Sequence, residues 1–315
     1  MRITRDHEDH TGAAPPRIVY FGGRSAFSLG PLRALINADL APVAMILPAV
    51  GVPGSAPVRL RRSALGRGGL GLTRKSEAMG IVDAAIVADV DVYDVGTLDH
   101  PGTLASLAGF EADLYCAACF PRLLPPEVLR LPRLGCLNVH PSLLPAYRGP
   151  APLFWSLRAG EAQLGTTVHL MDAGLDTGPV IEQEGFATPE GMGGAELDRM
   201  CSELGGELLV RAVRSLCLNI AELQVQGSAG ASYEGWPCAD DFVIPTTWSA
   251  KRAFNFVRAV DEWTTSPAIE IGAERILVRA ALSYNPDELL PTAVVEVGVE
   301  VLVQFQPGVL RVGRM

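Results

Sequence analysis

Gly135-Cys-Leu-Asn-Val-His-Pro-Ser-Leu-Leu-Pro-Ala-Tyr-Arg-Gly149, followed by Gly165-Thr-Thr-Val-His-Leu-Met-Asp-Ala-Gly-Leu-Asp-Thr-Gly-Pro179, is the run from which the fold of this chain is read. Cys136 to Val139 has the pattern of a short apolar strand, which Pro141 stops from continuing as a central strand. Asn138 and His140 are two apart, so an extended backbone projects both from one face at the strand's end. Open α/β folds keep their sites at such carboxyl edges. A second strand, Thr166 to Met171, enters the turn-rich segment from Asp172 to Gly178, which offers two carboxylates. If that segment folds back against the first strand, an amide, an imidazole and a carboxylate converge.

Such a trio suits acyl transfer to an amine. The amide of Asn138 can donate to an oxygen that gains negative charge when an amine adds to a carbonyl. His140 can stabilise that oxygen or shuttle the amine's proton, and a carboxylate raises and orients the imidazole. No side-chain nucleophile is needed, because the substrate nitrogen attacks. Three other readings compete. Asn138 and His140 could simply cap a strand. His140, His169 and Asp176 are legitimate zinc ligands, although no H-E-x-x-H motif occurs and His169 falls mid-strand. Ser142 with His140 and Asp176 would make a hydrolase triad, but the Gly-x-Ser-x-Gly elbow is missing.

Asn138-Val-His-Pro-Ser-Leu-Leu-Pro145 and Leu175-Asp-Thr-Gly178 resemble the signature of the 10-formyltetrahydrofolate-dependent formyltransferase family. The resemblance implies a Rossmann-like, mostly parallel sheet with a small C-terminal OB-like β-barrel. It implies Asn138, His140 and Asp176 as the catalytic trio and no metal. It also implies 10-formyltetrahydrofolate as co-substrate, held by Phe120, Leu123, Leu124, Pro125, Ser142, Asp172 and Leu175. Within Pro121-Arg-Leu-Leu-Pro125 the prolines make a rigid presenter of peptide groups to a pterin edge. The alternatives of a formyltetrahydrofolate hydrolase and a non-catalytic folate-binding protein remain beside it.

The acceptor is read from charge. Gly51 to Lys75 holds Arg59, Arg61, Arg62, Arg67, Arg74 and Lys75 with no acidic residue, in a chain of net charge −9. This segment resembles, in position and charge, an insertion that grips the tRNA acceptor arm in the family branch acting on methionyl-tRNA. Arg59, Arg61 and Arg62, with Arg148, are therefore candidate substrate contacts. The same arginines would suit the diphosphate of an amino-sugar nucleotide, or the segment could be a solvated loop. Acidic residues dominate from Asp261 to Glu300, which favours the small-amine alternative.

The remaining chain accommodates two domains in 315 residues. A polar leader occupies 1–16, the catalytic domain 17–223, a Gly/Ser-rich linker 224–240 and the barrel 241–315. Arg17 to Phe21 is the first strand, and its Gly22-Gly23 turn does not match G-x-G-x-x-G. Strands are expected at 42–47, 90–95, 113–120 and 180–186. Helices are expected around Phe27–Ile36, 101–107, 149–158, 194–213 and 247–259. In the barrel the strands are 269–271, 276–280, 294–303 and 309–312. Most of the six cysteines lie in apolar segments, which favours buried thiols over disulfides, and the spacing of Cys116 and Cys119 sends them to opposite faces of a strand. No apolar run reaches the ~18 residues of a membrane span, and the charged first ten residues do not resemble a signal peptide. The expectation is a cytoplasmic protein; nothing in the sequence assigns an oligomeric state.

Overall fold

The computed structural model describes residues 14–49, 59–61 and 80–315. The first unit runs β1 (Ile18–Gly22), α1 (Leu29–Asn37), β2 (Ala44–Pro48), β3 (Arg59–Arg61), α2 (Ile81–Val87), β4 (Asp91–Val95), α3 (Pro101–Ala108) and β5 (Leu114–Ala118). It continues with α4 (Pro126–Leu129), β6 (Cys136–His140), α5 (Pro152–Ala159), β7 (Gln163–Leu170), β8 (Val180–Ala187) and the long α6 (Gly194–Cys217). Eight strands form one sheet in the order β3-β4-β2-β1-β5-β6-β7-β8. From β4 to β6 neighbours are parallel, whereas β3, β7 and β8 pair antiparallel. β1 and β5 are buried at every position, as central parallel strands covered on both faces must be. The order reverses at β1, so a crevice opens beyond the carboxyl ends of β1, β5 and β6.

α6 covers one face, placing Leu208, Leu209, Ala212 and Val213 in the core with Leu137 and Val139 of β6 and Val168 of β7. The hydroxyl of Ser202 on α6 accepts from Gly30 N and donates to Phe27 O, which fixes α6 against the start of α1. The C-terminal unit holds β9 (Val243–Pro245), α7 (Ala250–Ala259), β10 (Ala268–Ile271), β11 (Glu274–Asn285), β12 (Val294–Val297), β13 (Glu300–Gln304) and β14 (Val309–Arg314). Its six strands pair in the order β12-β13-β14-β11-β10-β9. This is the small β domain expected, but as an open-ended ladder in which β12 and β9 form the two ends.

Several details differ from the sequence reading. The single strand expected over 294–303 is a hairpin turned at Gly298. α7 starts at Ala250, because Ser249 caps it by accepting from Arg252 N (3.2 Å). α5 starts at Pro152 rather than Gly149, since Gly149 has φ +116°, outside the helical region. Of the cysteines, Cys116, Cys136 and Cys201 are buried, while Cys119, Cys217 and Cys238 are exposed; all six are free. Cys119 follows β5 at φ +53°, turned away from Cys116. Residues 224–240, read as a linker, lie as a strap fastened across the β6–α5 loop: Ser232 N donates to Pro145 O, Arg148 N to Ser232 O and Glu234 N to Arg148 O. Among the described residues no helix is long and apolar enough to cross a membrane. The leader 1–16 lies outside the described residues up to residue 13.

The two units share one of the hydrophobic clusters, around Phe154. Phe154 of α5 meets Trp155, Phe242, Phe256 and Trp263 with ring centroids 5.0–5.4 Å apart, and Arg252 lies over the Trp248 ring at 3.7 Å. Phe154→Ala is expected to cost about 3–5 kcal/mol of stability. Chemical denaturation should show one lowered transition for both units, because the cavity opens in the core they share.

Candidate active site

β6 brings Asn138 and His140 to its carboxyl end, as the period-two pattern requires. Antiparallel pairing with β7 sets Asn138 opposite His169 and His140 opposite Thr167. Beyond β7 the chain turns through Asp172, whose Oδ1 accepts from Gly174 N (3.0 Å) and from the Thr177 hydroxyl (2.6 Å). Gly178 then passes so close to β7 that a Cβ there would lie 1.9 Å from Leu170 O. This tight return sends Asp176, at φ +55°, back onto β6. Aspartate tolerates that left-handed conformation better than most residues.

Asp176 is the hub. Its Oδ2 accepts from Gly149 N (3.0 Å) and its Oδ1 from Asn138 Nδ2 (3.3 Å). His140 Nδ1 lies 3.7 Å from Oδ2, and His169 Nε2 lies 3.5 Å from Oδ1. Burial alone would raise the carboxyl pKa, but His140, His169 and the Gly149 N–H outweigh it and lower the value to about 2. Gly149 is irreplaceable here: its φ is +116° and a Cβ would sit 2.0 Å from Glu234 O.

The imidazoles can be assigned from their partners. His140 Nε2 faces the carbonyl of Tyr147 at 2.9 Å, so Nε2 carries the hydrogen and Nδ1 offers its lone pair toward Asp176. His169 Nδ1 faces Leu170 O at 2.9 Å, leaving Nε2 to accept from Asn138 Nδ2 (3.2 Å). Burial pushes the pKa of His140 down, Asp176 and the Tyr147 carbonyl push back, and the net direction is down. The resting site thus pairs a neutral imidazole with an ionised carboxylate. Both N–H groups of Asn138 are occupied inside the site, so donation to a substrate oxygen requires one of them to be exchanged.

A small open cleft adjoins the trio, lined by Leu123, Leu124, His169, Met171 and the loop from Asp172 to Asp176. Leu123, Leu124, Asp172 and Leu175, expected to hold the folate, line this cleft. Phe120 lies behind the cleft, half-buried against Phe21 at 5.4 Å between rings. Pro125 caps α4 and is absent from the cleft lining. Ser142 is buried in the β6–α5 loop, where its hydroxyl donates to Ala146 O (2.7 Å), away from the cleft. Arg148 gives its guanidinium to the Gln226 side chain at 2.7 and 3.2 Å. Arg59 and Arg61 form β3 at the far edge of the sheet, three strands from β1, and Arg62 lies outside the described residues.

Sequence reasoning missed three participants. His169 was read as a mid-strand residue, and the antiparallel register of β6 with β7 would have placed it beside Asn138. Gly149 N–H and Gln226 carried no motif of their own. The residues weighed as zinc ligands do meet, but as partners of a single carboxylate. Among the described residues, no group of three or more His, Cys, Asp or Glu is placed to hold a metal ion.

Residues 71–213 match the family model described as formyl transferase. Over 285 residues the chain is 30% identical to the methionyl-tRNA formyltransferase of Roseiflexus sp. (strain RS-1), covering 89% of this chain and 82% of that protein. The chain belongs to the formyl transferase family. Its chemistry is therefore transfer of a formyl group. A second formyl transferase, the methionyl-tRNA formyltransferase of Nitrosococcus oceani, is 33% identical over 301 residues, 92% of this chain and 85% of that one. Among solved structures, the N-formyltransferase from Helicobacter canadensis in complex with folinic acid and dTDP-3-aminofucose superposes with a TM-score of 0.63 at 15% identity, covering 94% and 98% of the two chains. HypX from Aquifex aeolicus in complex with tetrahydrofolic acid gives 0.59 at 17% identity, over 95% of this chain and 44% of that one. At these identities the structures share the fold with this formyl transferase.

The lowered pKa of Asp176 has a consequence for acid stability. Above its ordinary value of 3.8 the ionised carboxylate stabilises the folded state, and that contribution is lost as pH falls from 3.8 through about 2. The stability advantage of wild type over Asp176→Asn should shrink across that window. Urea denaturation of both proteins at a series of pH values measures it.

Proposed function

We propose that this formyl transferase moves the formyl group of 10-formyltetrahydrofolate onto the amine of methionyl-tRNA, with Asn138, His140 and Asp176 as its catalytic residues. The observation carrying this reading is the buried convergence of those three side chains beside the cleft, which Asp176 lines. The lining of the cleft suits the chemistry of a folate ring system: Leu123, Leu124, Met171 and Leu175 offer apolar contact to a planar ring, and the 172–176 loop offers peptide groups to its polar edge. The bound folate would supply the electrophilic formyl carbon.

The residues then divide the work. His140 accepts the amine's proton at Nδ1 as the new C–N bond forms, and the gained N–H closes the 3.7 Å gap to Asp176 Oδ2; the proton then passes to the folate nitrogen as its bond to the formyl carbon breaks, which returns His140 to its neutral form. Asp176 holds its negative charge throughout and so stabilises the imidazolium. The Tyr147 carbonyl fixes the ring through Nε2 and keeps Nδ1 as the only basic atom. Asn138 exchanges its bond to His169 for one to the substrate oxygen and donates to it as negative charge develops. Retained bonding to Asp176 keeps the amide oriented meanwhile.

For the acceptor, support comes from the relatives aligned over four-fifths or more of their length, both methionyl-tRNA formyltransferases. A sugar-nucleotide amine is the second reading. It is favoured by acidic residues on the C-terminal sheet, where Glu270, Glu274, Glu296 and Glu300 occupy strand positions or strand ends. Leader, catalytic domain, linker and C-terminal domain are placed at 1–16, 17–223, 224–240 and 241–315 in this reading, and the protein acts in the cytoplasm.

His140→Ala should lower kcat by about 10²–10⁴-fold while leaving folate affinity nearly unchanged. Undiminished turnover, with labelled formyl donor, would remove His140 from the mechanism. Neutralising Arg59, Arg61 and Arg62 should weaken methionyl-tRNA binding and flatten its dependence on salt. Equal binding before and after, together with turnover on an amino-sugar nucleotide, would transfer the assignment to the small amine. Formate release without any amine present would instead mark a hydrolase.

A further inference from the structure

The strap from 224 to 240 touches the site through one side chain more than any other. Residues 222–225 and 227–230 are all exposed, and Gln226 alone between them turns inward. Its Nε2 donates to Asp176 O (2.9 Å) and to Gly178 O (2.7 Å). Its Oε1 accepts two bonds from the guanidinium of Arg148. Every hydrogen-bonding group of this carboxamide is therefore used.

These bonds close a ring. Gln226 holds the backbone of Asp176, the carboxylate of Asp176 holds Gly149 N, and Arg148, one residue before Gly149, returns to Gln226. Asp176 sits at φ +55°, a conformation that persists only where its surroundings over-determine it. The hydroxyl of Ser232 on the same strap accepts from Tyr147 N (2.8 Å), the residue whose carbonyl orients His140. The strap thus grips both sides of the His140–Asp176 pair.

We propose that Gln226 is a positioning residue of the active site: acting through the backbone of Asp176 and the side chain of Arg148, it sets the distance between the catalytic carboxylate and His140. This rests on the formyl-transfer reading for its rate readout only. A carboxamide is required. Glutamate would keep the Arg148 contact but face two carbonyl oxygens without a donor, and leucine would lose both.

The test compares Gln226→Leu and Gln226→Glu with wild type and with Leu223→Ala, a control at the exposed position that leads into the strap. Gln226→Leu and Gln226→Glu should each lower kcat about 10–100-fold, as expected for a misplaced catalytic group. KM for the folate should change less than about threefold and melting temperatures should stay close to wild type. Leu223→Ala should behave as wild type. Unchanged kcat in both Gln226 variants would overturn the proposal. So would a loss matched by a proportionate drop in melting temperature and reproduced by Leu223→Ala, since the strap would then be merely structural. If wild type transfers formyl to no acceptor offered, the functional reading fails and nuclear magnetic resonance decides the positioning role. His140 is faced by Asp176, His169 and the Tyr147 carbonyl. A displaced His140 titration in Gln226→Leu would uphold the role, and one superimposable on wild type would overturn it.

Discussion

A buried negative charge governs this molecule. Asp176 is 9% exposed, and an ionised carboxylate removed from water is tolerable only when its oxygens are matched by donors or positive charge. The donors come from distant places: Asn138 Nδ2 at the end of β6 and Gly149 N in the loop before α5, with the His140 and His169 rings packed beside the carboxylate. Neither donor is local. The carboxylate can therefore be buried in its ionised form only when the sheet edge, the return after β7 and the β6–α5 loop have all reached their final places.

That dependence links the chemistry to the architecture. A parallel sheet with a reversal at β1 opens its crevice where β5 and β6 end, and the antiparallel turn into β7 carries a second histidine and the aspartate loop to the same rim. The C-terminal unit is joined to this assembly by an aromatic cluster around Phe154 and by the strap, whose polar side chains reach the site from outside the sheet. Neighbouring glycines at 149 and 178 are demanded by close backbone approach, where a side chain would collide with a carbonyl oxygen. The geometry of the site is in this way built mainly from backbone placement.

Much of this was legible from residue pattern. The apolar strands β1, β2 and β5, the amphipathic α6 and the alternating C-terminal strands follow from periodicity, because burial on one or two faces leaves a repeat of two or near 3.6. Asn138 and His140 were legible from their spacing on a strand that Pro141 ends, whereas Asp176 was picked out from Asp172 by resemblance to the family's motif. Ser142 looked like a site residue from the same contiguity, yet its hydroxyl is satisfied within its own loop. Contiguity in sequence does not tell which way a loop side chain turns. Arg148, read as a substrate contact, is likewise engaged by Gln226.

The sequence by itself determined the α/β class, the order of elements and the pairing of an amide with an imidazole at one strand end, since each of these depends on residue type and short-range spacing; which aspartate joins them was read from the family's motif. Only the tertiary structure decided which hydrogens those groups have free, that His169 stands across from Asn138, and that a glutamine 50 residues beyond Asp176 holds its backbone. Cross-strand register and the path of a strap arise from the packing of segments far apart in the chain, and no local pattern records them.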